Sequence, residues 1–128
     1  MSLRSPIGRV LGYGAAKEGV GHWWSQRVTS VALVILGLWF VTALVRLPDL
    51  SYALVTAWLA QPVNAVLMTL LVATTVYHSK LGVQVVVEDY VTTAGTKVVT
   101  MLVLNFLHVA LGALGIFAIL KIAFGASA

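Results

Sequence analysis

VNAVLMTLLVATTVYHSKLGVQVVVEDY, residues 63–90, decides how this chain folds. From Val63 to Ser79 it carries no Asp, Glu, Lys or Arg, and the uncharged run reaches back to Leu50. A segment of this kind suits a helix crossing ~30 Å of hydrocarbon, which takes ~20 apolar residues. A lone apolar segment in lipid must satisfy its own backbone polar groups, so it has to be helical. His78 falls in the last third of the uncharged stretch. An imidazole there is costly without a partner and is the first candidate functional residue. Along a helix, eleven residues return to within about 20° of the same face and rise roughly 16 Å. Asp89 therefore stands above His78 where the helix meets water, with Tyr90 next to it. Gly82, one turn from His78 on the same stripe, leaves room for something flat beside the ring.

Two further apolar runs flank this one. Val28–Val45 is 18 uncharged residues and Val98–Leu120 is 23. The chain has 128 residues, 60% hydrophobic and only 9% charged, against about 25% charged in soluble domains. The reading is all-α and integral to the membrane. Spans are expected at about 26–46, 63–88 and 98–121, with a short outer-surface helix at about 50–60. The absence of cysteine removes disulfides, iron–sulfur clusters and thiolate zinc sites. The net charge of +4 rests on scattered basic residues, so no nucleic-acid surface is expected.

Arg4, Arg9, Lys17 and Arg27 precede or open the first span, the positive-inside pattern of a cytoplasmic N-terminus. Residues 1–21, rich in Gly and basic, read as a cytoplasmic arm, and 22–128 as one three-helix transmembrane domain. Trp23 and Trp24 stand where an aromatic belt belongs. Arg46-Leu-Pro48-Asp49 reads as a turn, with Asp49 or Ser51 capping the short helix and Pro62 in the first turn of the second span. Residues 92–96 form the next turn, and Gly112 and Gly115 suit close helix packing in the third span.

A mid-membrane imidazole, an adjacent gap and a carboxylate–phenol pair at the surface suggest a haem ligand beneath a quinone pocket. The plainer alternative is an imidazole hydrogen-bonded across the bundle, for which Thr29, Thr42, Thr69 and Thr75 are available. His108 lies at a depth similar to His78, which opens a bis-histidine haem within one chain. Helices 8–10 Å apart leave little room for that, and Asn105 nearby offers a polar partner, so His108 reads as structural. His22 and Arg27 stand at the mouth of the first span. Anchoring explains Arg27, and its bidentate fork also suits a haem propionate. Lys80, Gln84 and Glu88, spaced i, i+4, i+8, call for a protein neighbour rather than lipid.

The run from His78 through Gly82 to Glu88-Asp89-Tyr90 resembles the signature of the hydrophobic membrane-anchor subunits of succinate dehydrogenase, the cytochrome b small subunits of respiratory complex II. In that family a second-span His is followed eleven residues on by Asp-Tyr. Lys17-Glu-Gly-Val-Gly-His22-Trp-Trp-Ser-Gln-Arg27 is similar to the family's entry into its first helix, and the likeness covers nearly the whole chain.

The resemblance implies that His78 is an axial ligand of haem b, shared with a second cytochrome b membrane subunit. It implies that Tyr90 hydrogen-bonds ubiquinone, with Asp89 supporting the pocket, and makes His22 and Arg27 candidate neighbours of the haem propionates or the quinone. A flavoprotein and an iron–sulfur subunit would dock on the cytoplasmic side of a bacterial or mitochondrial inner membrane. On this reading the chain is no enzyme alone but the anchor of an oxidoreductase complex. Two other classes stay open: a self-contained b-type cytochrome using His78 and His108, and a cofactor-free structural membrane subunit.

Overall fold

The computed structural model describes Ile7 and residues 19–125. Four helices follow in order there: α1 (Gly19–Val45), α2 (Tyr52–Leu59), α3 (Pro62–Tyr90) and α4 (Ala94–Ala123). The three long ones have 27, 29 and 30 residues and are long and apolar enough to cross a membrane. At 1.5 Å per residue they run about 40–45 Å, past the hydrocarbon at both ends. This is why they outrun the spans read from sequence. Apolarity marks the part of a helix lying in hydrocarbon, whereas backbone hydrogen bonding continues into the interface. The shift is largest at α1, which begins at Gly19 rather than near 26, so Gly19–Gly21 are helical instead of belonging to the arm. The rest of the arm, residues 1–18, lies outside the described residues apart from Ile7.

The connections follow local chemistry. Asp49 Oδ1 accepts the Ser51 amide at 2.7 Å, and Ser51 takes the N-cap position of α2 without a side-chain capping bond. The Ser51 hydroxyl, and with it the Ser51 amide, holds the exposed Asp49 carboxyl below its ordinary value. Pro62 opens α3 at its first position, where a residue without N–H forfeits no helical bond. Asn64 Nδ2 donates to the Trp58 carbonyl at 2.8 Å and to Gln61 Oε1 at 3.2 Å, clamping the end of α2 onto the start of α3. The α3–α4 link is shorter than the expected 92–96 turn, because α4 resumes at Ala94 and takes in Gly95.

The middle span is the hub. It packs on α1 and on α4, but no Cα pair joins α1 to α4 within 8 Å, so the three spans form an open layer rather than a closed bundle. Against α4 the fit is close. A Cβ added at Gly112 would stand 3.5 Å from Val76 Cγ1, and one at Gly115 would stand 3.0 Å from Val72 Cγ1. At the end remote from the N-terminus, Leu59, Ala65 and Ile119 bury one another, joined by Trp58, Met68 and Val72. Trp58 also stacks on Trp39 of α1 with ring centroids 5.8 Å apart. Large apolar side chains elsewhere face outward, Val31, Leu38, Phe106 and Phe117 among them. That arrangement suits lipid or a protein neighbour, since burial of apolar groups does not drive helices together inside a bilayer.

Candidate functional site

The site grows from one face of α1. His22, Gln26 and Thr29, at i, i+4 and i+7, share a stripe of the helix, and Gln26 and Thr29 meet His78 of α3. Thr29 Oγ1 lies 2.8 Å from His78 Nδ1, and also 2.7 Å from the Ser25 carbonyl and 3.1 Å from that of Gln26. A carbonyl only accepts, so the hydroxyl gives its proton to the helix backbone and accepts from His78 Nδ1–H. That fixes the tautomer and leaves Nε2 with its lone pair. Gln26 Nε2, at 3.2 Å, donates to it.

Gly82 lets this amide approach. A Cβ there would come 3.7 Å from Gln26 Nε2. The room beside the imidazole is thus taken by a flexible side chain. Two buried polar atoms on the stripe, His22 Nε2 and Gln26 Oε1, have no hydrogen-bond partner among the described residues. Buried polar atoms are rarely left so. Above His78, toward the face where α1 begins, Gly19, Gly21, His22 and Ser25 of α1 and Tyr77, Leu81, Gln84 and Glu88 of α3 enclose a cleft of about 480 Å³.

The other expected site residues lie apart. Asp89 and Tyr90 end α3. Tyr90 is 82% exposed, and neither side chain is hydrogen-bonded among the described residues. Arg27 is on another face of α1 from His22 and Gln26, with its guanidinium 5.3 Å from the Trp23 ring centroid. His22 therefore joins His78's stripe, while Arg27 remains at the interface beside an aromatic anchor.

His108 is occupied otherwise. Its Nδ1–H donates to the Leu104 carbonyl at 2.7 Å, and its Nε2, 3.3 Å from Ser79 Oγ, accepts from that hydroxyl. Both nitrogens are satisfied, as a structural role requires. Asn105 lies beside it, lining a narrow gap with Lys80, Gln84 and His108. Lys80 and Gln84 thus have α4 as their protein neighbour. Gln84 Nε2 donates to Glu88 Oε1 at 2.8 Å, and Lys97 Nζ donates to the Glu88 carbonyl at 2.7 Å. Of the four threonines available to His78, Thr42, Thr69 and Thr75 bond carbonyls of their own helices and only Thr29 reaches the ring. The contact with Gln26 was not foreseen, although its i, i+4 spacing from His22 was a readable signal.

Haem b, implied by the resemblance, fits these residues. It asks one chain for a single imidazole nitrogen with its lone pair directed to the iron. His78 Nε2 has that lone pair, held in place from behind by Thr29, as metal-ligating imidazoles are by their outer partners. Only the displaceable Gln26 amide engages it, and His22 Nε2 can serve as a donor to a carboxylate on the same stripe. Among the described residues no three His, Cys, Asp or Glu side chains come together as an ion-binding group.

The match to known proteins agrees with this topology. The family described as succinate dehydrogenase/fumarate reductase transmembrane subunit matches residues 1–119. A succinate dehydrogenase hydrophobic membrane anchor subunit of Rickettsia bellii (strain RML369-C) is 34% identical over 89 residues, 70% of this chain and 71% of that protein. The similarly named protein of Rickettsia conorii is 31% identical over 90 residues, again 70% and 71%. That of Rickettsia typhi is 32% identical over 77 residues, 60% and 62%. No solved structure matches. A family match across nearly the whole chain, joined to three membrane-spanning helices, makes this a multi-pass integral membrane protein belonging to the succinate dehydrogenase/fumarate reductase transmembrane subunit family.

Proposed function

We propose that the chain is one of two membrane subunits anchoring a succinate dehydrogenase, that it holds haem b jointly with a partner cytochrome subunit through His78, and that Tyr90 and Asp89 serve ubiquinone reduction. Family membership supports the anchoring role. The observation that carries the haem reading is the pair of contacts at His78, whose Nδ1 lies 2.8 Å from Thr29 Oγ1 while its Nε2 meets only the Gln26 amide at 3.2 Å. When bound, the haem supplies a one-electron carrier within the bilayer. The chain's residues do the rest: His78 ligates, Thr29 holds the ring, Gln26 yields its place, and His22 or Arg27 donates to a propionate.

Tyr90 stands at the C-terminal end of α3, on the membrane face where α1 begins, the cytoplasmic face by the positive-inside rule. Its phenol can donate one hydrogen bond to a quinone oxygen, and that bond strengthens as the oxygen gains negative charge on reduction. Asp89 orients the phenol or supplies a proton. The open layer of three spans fits a partner subunit, since haem is usually held by bundles of four helices. The flavoprotein and iron–sulfur subunits would dock at the cytoplasmic face, and succinate oxidation would belong to the flavoprotein.

A cofactor-free packing subunit is the second reading, favoured by the fact that both nitrogens of His78 are already hydrogen-bonded within the chain. Purification with native partners separates the two. Co-purification of the three other subunits together with a reduced-minus-oxidised b-type spectrum supports the proposal. A complex without haem absorbance leaves the second reading.

A further inference from the structure

At the membrane face remote from the N-terminus, three helices converge on a second cleft. Trp39, Thr42 and Ala43 of α1, Arg46 just past its end, Trp58 of α2, and Gln61 and Asn64 at the cap and first turn of α3 line about 350 Å³. Arg46 is the sole charged residue of this lining. Asp49, the acid nearest to it in sequence, has Oδ1 on the Ser51 amide. Gln61 uses Oε1 to accept from Asn64, which leaves its amide nitrogen as a donor. No side chain caps α3, so the first amides of that helix add unpaired donors and positive potential at the same place. The stacked Trp39 and Trp58 rings form the apolar wall, 5.8 Å apart.

We infer that this cleft binds the phosphate of a phospholipid in the leaflet opposite the N-terminus. A guanidinium, a primary amide and an uncapped helix start all donate to an anion, and Arg suits a phosphate through two parallel hydrogen bonds. The tryptophan pair suits the glycerol and first methylenes of a lipid, because indoles settle at the headgroup level. Arg46 sits one residue past the end of a membrane-spanning helix, the depth at which lipid phosphates lie. The bound lipid would pin α2 to the ends of α1 and α3, where the Asn64 clamp and the Trp39–Trp58 stack already meet. This site is independent of His78, because it uses no residue of that cluster.

The test uses the complex purified with its native partners and placed in nanodiscs of phosphatidylcholine containing a photoreactive phosphatidylglycerol. Labelling should fall on peptides holding Trp39–Arg46 and Trp58–Asn64. Arg46→Gln should cut that labelling about fivefold, the order expected for one cation facing lipid phosphate, and Arg46→Lys should restore part of it. A diacylglycerol probe of the same chains but without phosphate should label these peptides weakly. Millimolar inorganic phosphate should compete little, since it lacks the apolar part. Equal labelling by the two lipid probes, or labelling unchanged in Arg46→Gln, would overturn the assignment. Full competition by inorganic phosphate would make the site one for the free ion. Absence of label in the wild type would overturn it as well.

Discussion

The two seams of this protein are built on opposite terms. Between α3 and α4 the contact is mostly apolar and close, with Gly112 and Gly115 admitting Val76 and Val72, and its one histidine, His108, has both ring nitrogens satisfied. Between α1 and α3 the contact is polar, and it leaves Gln26 Oε1 and His22 Nε2 buried without partners among the described residues. Polar groups left unpaired in a low-dielectric interior cost about 1–3 kcal/mol each. A seam meant only for holding helices together gains nothing by keeping them. On the proposed function, one seam makes the fold and the other makes a site, with α3 common to both.

The largest effect should come from spoiling the first seam. Gly115→Leu pushes a side chain into space where even a Cβ would stand 3.0 Å from Val72 Cγ1, and overpacking of this kind costs about 1–3 kcal/mol. Melting of the purified complex should report a clear loss, with the residual haem spectrum unchanged in shape. A variant as stable as wild type would show that the α3–α4 contact is looser than described.

Next in size is Tyr90→Phe, which keeps the ring and deletes one donor. Quinone-linked turnover should fall about tenfold, the value of one hydrogen bond to a developing charge, while dye-linked succinate oxidation and haem content stay near normal. Asp89→Asn should act in the same direction but less. Equal loss of both turnovers would assign the pair to assembly.

Thr29→Val sharpens the comparison within the polar seam. It removes the acceptor of His78 Nδ1–H while keeping shape, so haem retention against detergent dilution should fall about 10-fold or more, in line with loss of an outer partner of a metal-bound imidazole. The reduction potential should move as well. Thr29→Ser, which keeps the hydroxyl, should restore both. Loss without rescue by Ser would reduce Thr29 to a packing role.

The smallest effect belongs to Asp49. Its folded-state pKa is lowered by the Ser51 hydroxyl and amide from the ordinary 3.8, so its contribution is full above that value and fades as pH falls through the lower folded one. Asp49→Asn should therefore match wild type in stability in acid below the lowered folded-state value and trail it slightly at neutral pH. A gap that widens in acid would contradict the hydrogen bond.

How much of this was legible in the sequence follows from the range of the interactions involved. Spans, the α2 segment, Pro62 at the start of α3 and the close approach at Gly112 and Gly115 are local, and apolar run length and residue size announce them. The partners of His78 are 49 and 52 residues away. Which of several threonines reaches the ring depends on the rotation of α1 against α3, and charge and hydropathy do not encode that rotation. The same rotation turns Arg27 toward Trp23 and His22 toward the cleft. That α1 and α4 fail to meet was equally out of reach, because run lengths say nothing about which spans are neighbours.

The central claim is that the polar seam presents a haem ligand and the apolar seam does not. The direct measurement is the reduced-minus-oxidised spectrum of the complex, purified with native partners, in the single variants His78→Leu and His108→Leu. The account predicts that His78→Leu loses the b-type spectrum or shifts its bands and potential, whereas His108→Leu leaves both nearly intact. A normal spectrum in His78→Leu together with its loss in His108→Leu would place the ligand on α4 and contradict the account.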